Sequence, residues 1–169
     1  MGKNGIQHVA EPRGVTLLDT WGAMETLVGR GRCRAIGLSD ISLNGLLPIY
    51  ESARIKPAVV QVEAHPYLPE TGLLEFCKEK DIVFLAFAPL GHGIRPGPLE
   101  DPVISAIAAR VGKTPAQVLL AWAVQRGTAL LTTPRTGLAP GRISTSPPFR
   151  KTRLTKSIEF RLDRGSMKW

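Results

Sequence analysis

Cysteine is scarce in this 169-residue chain, and the two that occur, Cys33 and Cys77, are not in CxxC spacing. That excludes a disulfide scaffold and the usual thiolate zinc patterns, so both are expected to be reduced and structural. His8 and His92 have no carboxylate or cysteine partner at ligand spacing, and no metal site is expected. Long apolar runs are also missing: none approaches the roughly 18 residues of a membrane span. The opening MGKNGIQHVAEPRG has no apolar core for a signal peptide, and Ile6 stands where a myristoylation motif wants Ser or Thr. The expected compartment is therefore the cytoplasm, with no membrane partner. Gly91 and Gly93 form no GxGxxG after a first strand, which removes the phosphate-cradling fingerprint of doubly wound folds.

Acidic residues are lacking in one part of the chain only. Through Thr132 there are 13 basic and 12 acidic residues, whereas from Thr133 onward there are nine basic and two acidic. Nearly all of the formal charge of +8 thus belongs to the tail. A basic tail can bind nucleic acid by neutralising phosphates, but no nucleic-acid motif accompanies it. A nucleic-acid partner is not expected.

Four apolar runs are present, each ending in polar or loop-making residues: RAIGLSD at Arg34 to Asp40, KPAVVQVEAHPYL at Lys56 to Leu68, IVFLAFAPLG at Ile82 to Gly91 and TALLTTPRT at Thr128 to Thr136. Val59, Val60 and Val62 suit an enclosed strand, and Pro57 and Pro66 bracket it. Helical patterns separate the runs. Trp21, Met24, Leu27 and Val28 recur at helical spacing before Gly29 and Gly31. Ser42 can cap a helix whose inward face is Leu43, Leu46, Leu47 and Tyr50, weakened by Pro48. Leu73, Leu74 and Cys77 mark a third helix. Asp101 before Pro102, and Thr114 with Pro115 and Gln117, open two more, with core stripes at Ile104 and Ile107 and at Val118, Leu119 and Trp122. Strand alternating with helix implies an α/β fold with a parallel sheet and its chemistry at the strand C-termini. In the central run, Gln61, Glu63 and His65 form the polar cluster that such a strand would deliver.

Together with TWGAMETLVGRGRCRAIGLSD, LLEFCKEKDIVFLAFAPLG, PLEDPVI and KTPAQVLLAWAVQRG, these runs resemble the second half of an aldo-keto reductase from about Val15 to Thr136. The resemblance implies a partial (β/α)8 TIM barrel of about four parallel strands with flanking helices, since a complete one takes roughly 250 residues. Three regions are expected: a disordered leader at 1–14, the partial barrel at 15–136, and a basic, unstructured tail at 137–169. Read one nucleotide out of register, codons available for Pro140 to Arg161 can encode RENFDISALPEDATDEINRIQ, which looks like the family's continuation. The tail is accordingly expected to be out-of-frame.

The resemblance also implies site residues for a nicotinamide cofactor, NADP(H). Ser39 and Asp40 fall where the family usually has Ser-Asn, and Gln61 matches its glutamine; these hydrogen-bond the carboxamide. Asp40 is a departure, because an ionised aspartate accepts but cannot donate; alternatively it is only a helix-proximal cap. Phe87 stands for the tyrosine that stacks on the nicotinamide ring and keeps the stacking face. Leu90 belongs to the loop over the pyrophosphate, and Arg135 and Thr136 stand for the lysine and serine at the 2′-phosphate. Binding is expected to be weak. His65 is expected to be structural, and Tyr67 a loop tyrosine near the mouth.

In the family, carbonyl reduction uses a tyrosine, lysine, aspartate and histidine from the first half of the barrel, which this chain is expected to lack. No catalytic residue is therefore assigned. The expectation is a truncated NADP-dependent reductase that would act on small carbonyl compounds but is inactive alone, with self-association through open sheet edges. The alternative is a non-catalytic interaction protein with a basic tail, which would show salt-sensitive nucleic-acid binding.

Overall fold

The computed structural model describes residues 14–93 and 95–132. The elements are α1 (Leu17–Gly29), β1 (Gly37–Ser39), α2 (Leu43–Ser52), β2 (Val59–Glu63), α3 (Thr71–Glu79), β3 (Val83–Phe87), α4 (Pro102–Val111), α5 (Pro115–Gln125) and β4 (Ala129–Leu130). The strands form one sheet in the order β1-β2-β3-β4, with every neighbouring pair parallel. Helical connections supply the crossovers that parallel pairing needs. The α/β architecture of four parallel strands with flanking helices is thus as read from the sequence. The leader to Arg13 and the basic tail lie outside the described residues.

Alternation along the strands sorts side chains onto two faces. Val60, Val62, Phe84 and Ala86 point to the helices and are buried with Leu46, Ile49, Leu73, Leu74 and Cys77 in the main core. The opposite face carries Val59, Gln61, Glu63, Val83, Leu85 and Phe87, none of them buried, and Val83 is 52% exposed. A second core joins α4 to α5 through Ile104, Ile107, Val118, Leu119 and Trp122, with Leu130 packed against both cores.

Helix ends follow the capping residues. Thr114 and Gln117 form the expected capping box, and the Asp101 carboxylate accepts from the Val103 and Ile104 amides at 2.6 and 3.2 Å. A second box, Thr16 with Asp19, starts α1. That helix is pinned by Trp21, whose Nε1 donates to the Ile55 carbonyl at 3.1 Å, and by Glu25, which accepts from the Ile55 amide at 2.8 Å.

Several boundaries differ from expectation. β1 is three residues, Gly37–Ser39, rather than Arg34 to Asp40, and at its end Asp40 turns left-handed at φ 51°. α2 runs through Pro48, which is exposed, while Leu46 and Ile49 anchor the helix by tertiary packing. Ile49 takes the inward position expected of Leu47, which is only half-buried. Leu27, expected to face inward, is 44% exposed.

Candidate cofactor site

Register places the polar residues at the C-terminal ends of the strands. Ser39 lies beside Gln61, Gln61 beside Leu85, and Glu63 beside Phe87. Gln61 and Glu63 share the uncovered face of β2, two residues apart, so Gln61 presents its amide donor and acceptor toward that side. The Asp40 amide donates to the Gln61 carbonyl at 2.9 Å, which ties the end of β1 to β2.

Asp40 does not cap a helix. The N-cap of α2 is Ser42, whose hydroxyl accepts from the Gly45 amide at 3.3 Å. Asp40 is exposed, beside Ser39 at the strand ends, in a left-handed conformation that Asn and Asp tolerate better than most residues.

Beyond β3 the chain makes a strained loop. Ala88 and His92 have φ of 48° and 46°, and Gly91 has 92°. Non-glycine residues at positive φ store energy that the surroundings must offset, and such positions gather at functional sites. A Cβ on Gly91 would overlap the Pro98 ring, so glycine is required there. This loop and the end of β4 enclose a cleft of about 620 Å³ whose walls include Phe87, Leu90, His92, Arg95, Leu131 and Thr132. No carboxylate lines it among the described residues. Arg95, which sequence reasoning passed over, ion-pairs with Glu100, which also accepts from the Gly97 amide at 3.0 Å.

The structure thus gathers Ser39, Asp40 and Gln61 at the ends of β1 and β2, and Phe87 with Leu90 around the cleft one strand further. Arg135 and Thr136 lie outside the described residues. Phe87 and Arg95 share the walls of that cleft, with the Arg95 guanidinium paired to Glu100.

Two pairings were missed. His65, said above to be structural, is 2% exposed, and its Nε2 lies 3.2 Å from the Glu63 carboxylate. Burial lowers its pKa, opposed by the Glu63 charge, and its Nδ1 is buried with no hydrogen-bond partner among the described residues. Spacing of two along an extended chain was the available signal for this pair. Tyr67 donates to the Asp101 carboxylate at 2.7 Å, and its pKa is pushed up to about 12, first by burial and then by that carboxylate. This joins the β2 loop to the start of α4. Neither side chain is a poised acid at neutral pH.

A model of the aldo/keto reductase family matches residues 7–164. The chain belongs to this family. An aldo/keto reductase of Synechocystis sp. is 47% identical over 125 residues, covering 69% of this chain and 38% of the relative. Aldo-keto reductase family 4 member C11 of Arabidopsis thaliana is 43% identical over 121 residues, with 69% and 38% covered. A probable NAD(P)H-dependent D-xylose reductase of Emericella nidulans is 43% identical over 128 residues, with 69% and 40% covered. This aldo/keto reductase chain therefore spans about two-fifths of the length of the curated relatives it matches. Its fold matches the crystal structure of an aldo/keto reductase from Brucella melitensis with a TM-score of 0.75 at 27% identity, covering 86% of this chain and 55% of that one. The four strands are part of a TIM barrel. Among the described residues no helix is long and apolar enough to cross a membrane, and no group of three or more metal-ligating side chains occurs.

Proposed function

We propose that this chain is a cofactor-binding portion of an aldo/keto reductase barrel, which holds NADP(H) weakly and does not by itself reduce carbonyl compounds. One observation carries the reading: Ser39 and Gln61 lie in register at the strand ends, and the end of β3 opens into a cleft walled by Phe87 and Leu90 and, among the described residues, free of carboxylates. Gln61 and Ser39 would hold the carboxamide, with Asp40 accepting from its NH2, Phe87 would face the ring, and the loop through Leu90 would cover the pyrophosphate. When bound, the cofactor supplies a hydride. Arg135 and Thr136 favour a 2′-phosphate, since a guanidinium grips phosphate through a fork of donors. The relative described as NAD(P)H-dependent supports a nicotinamide cofactor. The compartment is the cytoplasm, the family's substrates are small carbonyl compounds, and the open sheet edges favour self-association.

Asp40 in place of an amide costs one donor, worth on the order of 1 kcal/mol or about fivefold in affinity. Titration calorimetry with NADPH and NADH tests the reading. The expected outcome is weak binding with NADPH preferred, and a several-fold gain in the Asp40→Asn variant; NADH binding tighter than NADPH would overturn it.

A further inference from the structure

Asp40 is the one formal charge on the segment that joins β1 to α2. Ser39, directly before it, lies beside Gln61 in the parallel register, and the Asp40 amide donates to the Gln61 carbonyl at 2.9 Å. Backbone pairing thus fixes this aspartate next to the two residues proposed to hold the carboxamide. It is exposed and left-handed at φ 51°. No ion pair engages it: among the described residues the pairs are Arg54 with Glu25, His65 with Glu63, Lys80 with Glu79, and Arg95 with Glu100. Nor does it serve a helix, since Ser42 caps α2.

The cations of β2 and of the β3 loop lie elsewhere. Lys56 stands before β2, at the other end of the sheet, and the Arg95 guanidinium is paired with Glu100. The second formal charge at these strand ends is again negative: Glu63, beside Phe87 by register, with the His65 ring 3.2 Å away.

The donor set suits a carboxamide, because the Ser39 hydroxyl both donates and accepts and the Gln61 side chain offers a donor and an acceptor. A carboxamide is common to both redox forms of a nicotinamide cofactor. The ring that bears it is not: the oxidised ring carries a positive charge, which hydride addition removes. Ser39 and Gln61 are neutral and do not distinguish the two forms by charge, whereas a carboxylate does.

We infer that Asp40 makes this site select the oxidised, cationic form of the nicotinamide cofactor over the reduced, neutral form. The inference rests on the cofactor reading proposed above and adds redox selectivity to it. A carboxylate at contact range of a cationic ring, in a water-like dielectric, raises affinity by about fivefold, and salt screens the effect. The donor that Asp40 fails to give the carboxamide penalises both forms equally, so it cancels in their ratio.

The test is titration calorimetry of the full 169-residue chain with NADP+ and with NADPH, at low salt and at about 0.3 M, on the unaltered protein and on Asp40→Asn. Asparagine tolerates the left-handed region as aspartate does, so the variant removes the charge and keeps the turn; circular dichroism checks its fold. NADPH should gain several-fold in the variant while NADP+ changes little, so that the preference for NADP+ falls about fivefold. In the unaltered chain that preference should shrink at high salt. Both affinities rising together, with their ratio unchanged, would overturn the selectivity and leave the cofactor reading standing. Binding of neither form would overturn both. Should the variant not fold, the salt series on the unaltered chain decides, and a ratio that does not move with salt would overturn the inference.

Discussion

Tyr67 and His65 show how two residues near the strand ends are committed to structure. The Tyr67 hydroxyl is anchored to Asp101, the same carboxylate that caps α4, so one side chain serves a helix start and a loop at once. Replacing Tyr67 by Phe should lower stability by about 2 kcal/mol in urea unfolding, the scale for a hydrogen bond to a charged group. In an alkaline absorbance titration, one of the two tyrosines should ionise near 12, and that step should vanish in the variant. His65 makes the opposite kind of contribution. Burial holds its pKa below the ordinary 6.5, so the unfolded chain takes up a proton that the folded chain resists. Stability from this residue is complete above the unfolded value and is lost as pH falls from there through the lower folded value. Urea midpoints measured from pH 7 down to about 5 should therefore decline, and His65→Gln should flatten the decline.

At the scale of elements, what the sequence made legible was whatever depends on local chemistry. Pro-opened helices with Thr or Asp caps, and valine-rich strands closed by polar residues, could be placed because each signal lies within a few residues of its effect. Boundaries that tertiary structure decides could not: α2 crosses Pro48 because Leu46 and Ile49 are buried, and β1 ends at Ser39, after which Asp40 adopts φ 51°. The pairing of Tyr67 with Asp101 joins residues far apart in the chain and has no sequence signature. Arg95 was invisible as a cleft residue for the same reason, since only folding brings its loop to the end of β4. This distinction between local and long-range effects separates two substitutions. Thr114→Ala removes a cap and should cost about 1 kcal/mol of stability with NADPH affinity unchanged. Gly91→Ala forces a left-handed alanine against Pro98, and should weaken NADPH binding by roughly tenfold or more by displacing the loop. Equal effects of the two on the calorimetric titration would remove the loop from the cofactor site.

Across the whole molecule, the described residues divide into a well-buried helical side and an open strand side, and Ser39, Gln61 and Phe87 stand on the open side. Chemistry there would need a proton donor, because hydride delivery to a carbonyl leaves an alkoxide that must be neutralised as it forms. A positioned general acid contributes about 10²–10⁴-fold, and oriented donors add a comparable factor. Tyr67, with its pKa near 12, is a poorer acid than a free tyrosine, and its hydroxyl hydrogen is already engaged in the bond to the Asp101 carboxylate. Tyr50 has a lysine nearby, with the Lys56 ammonium 5.0 Å from its ring centre, but Lys56 precedes β2 and sits at the end of the sheet opposite the cleft. Burial favours the neutral form of His65, which is turned toward Glu63. The purified 169-residue chain should thus consume NADPH no faster than buffer does when offered small aldehydes, followed in the NADPH absorbance band. A rate above background that disappears in Tyr67→Phe or His65→Ala would mean that one of these side chains leaves its carboxylate to protonate substrate, and the chain would then be a reductase in its own right.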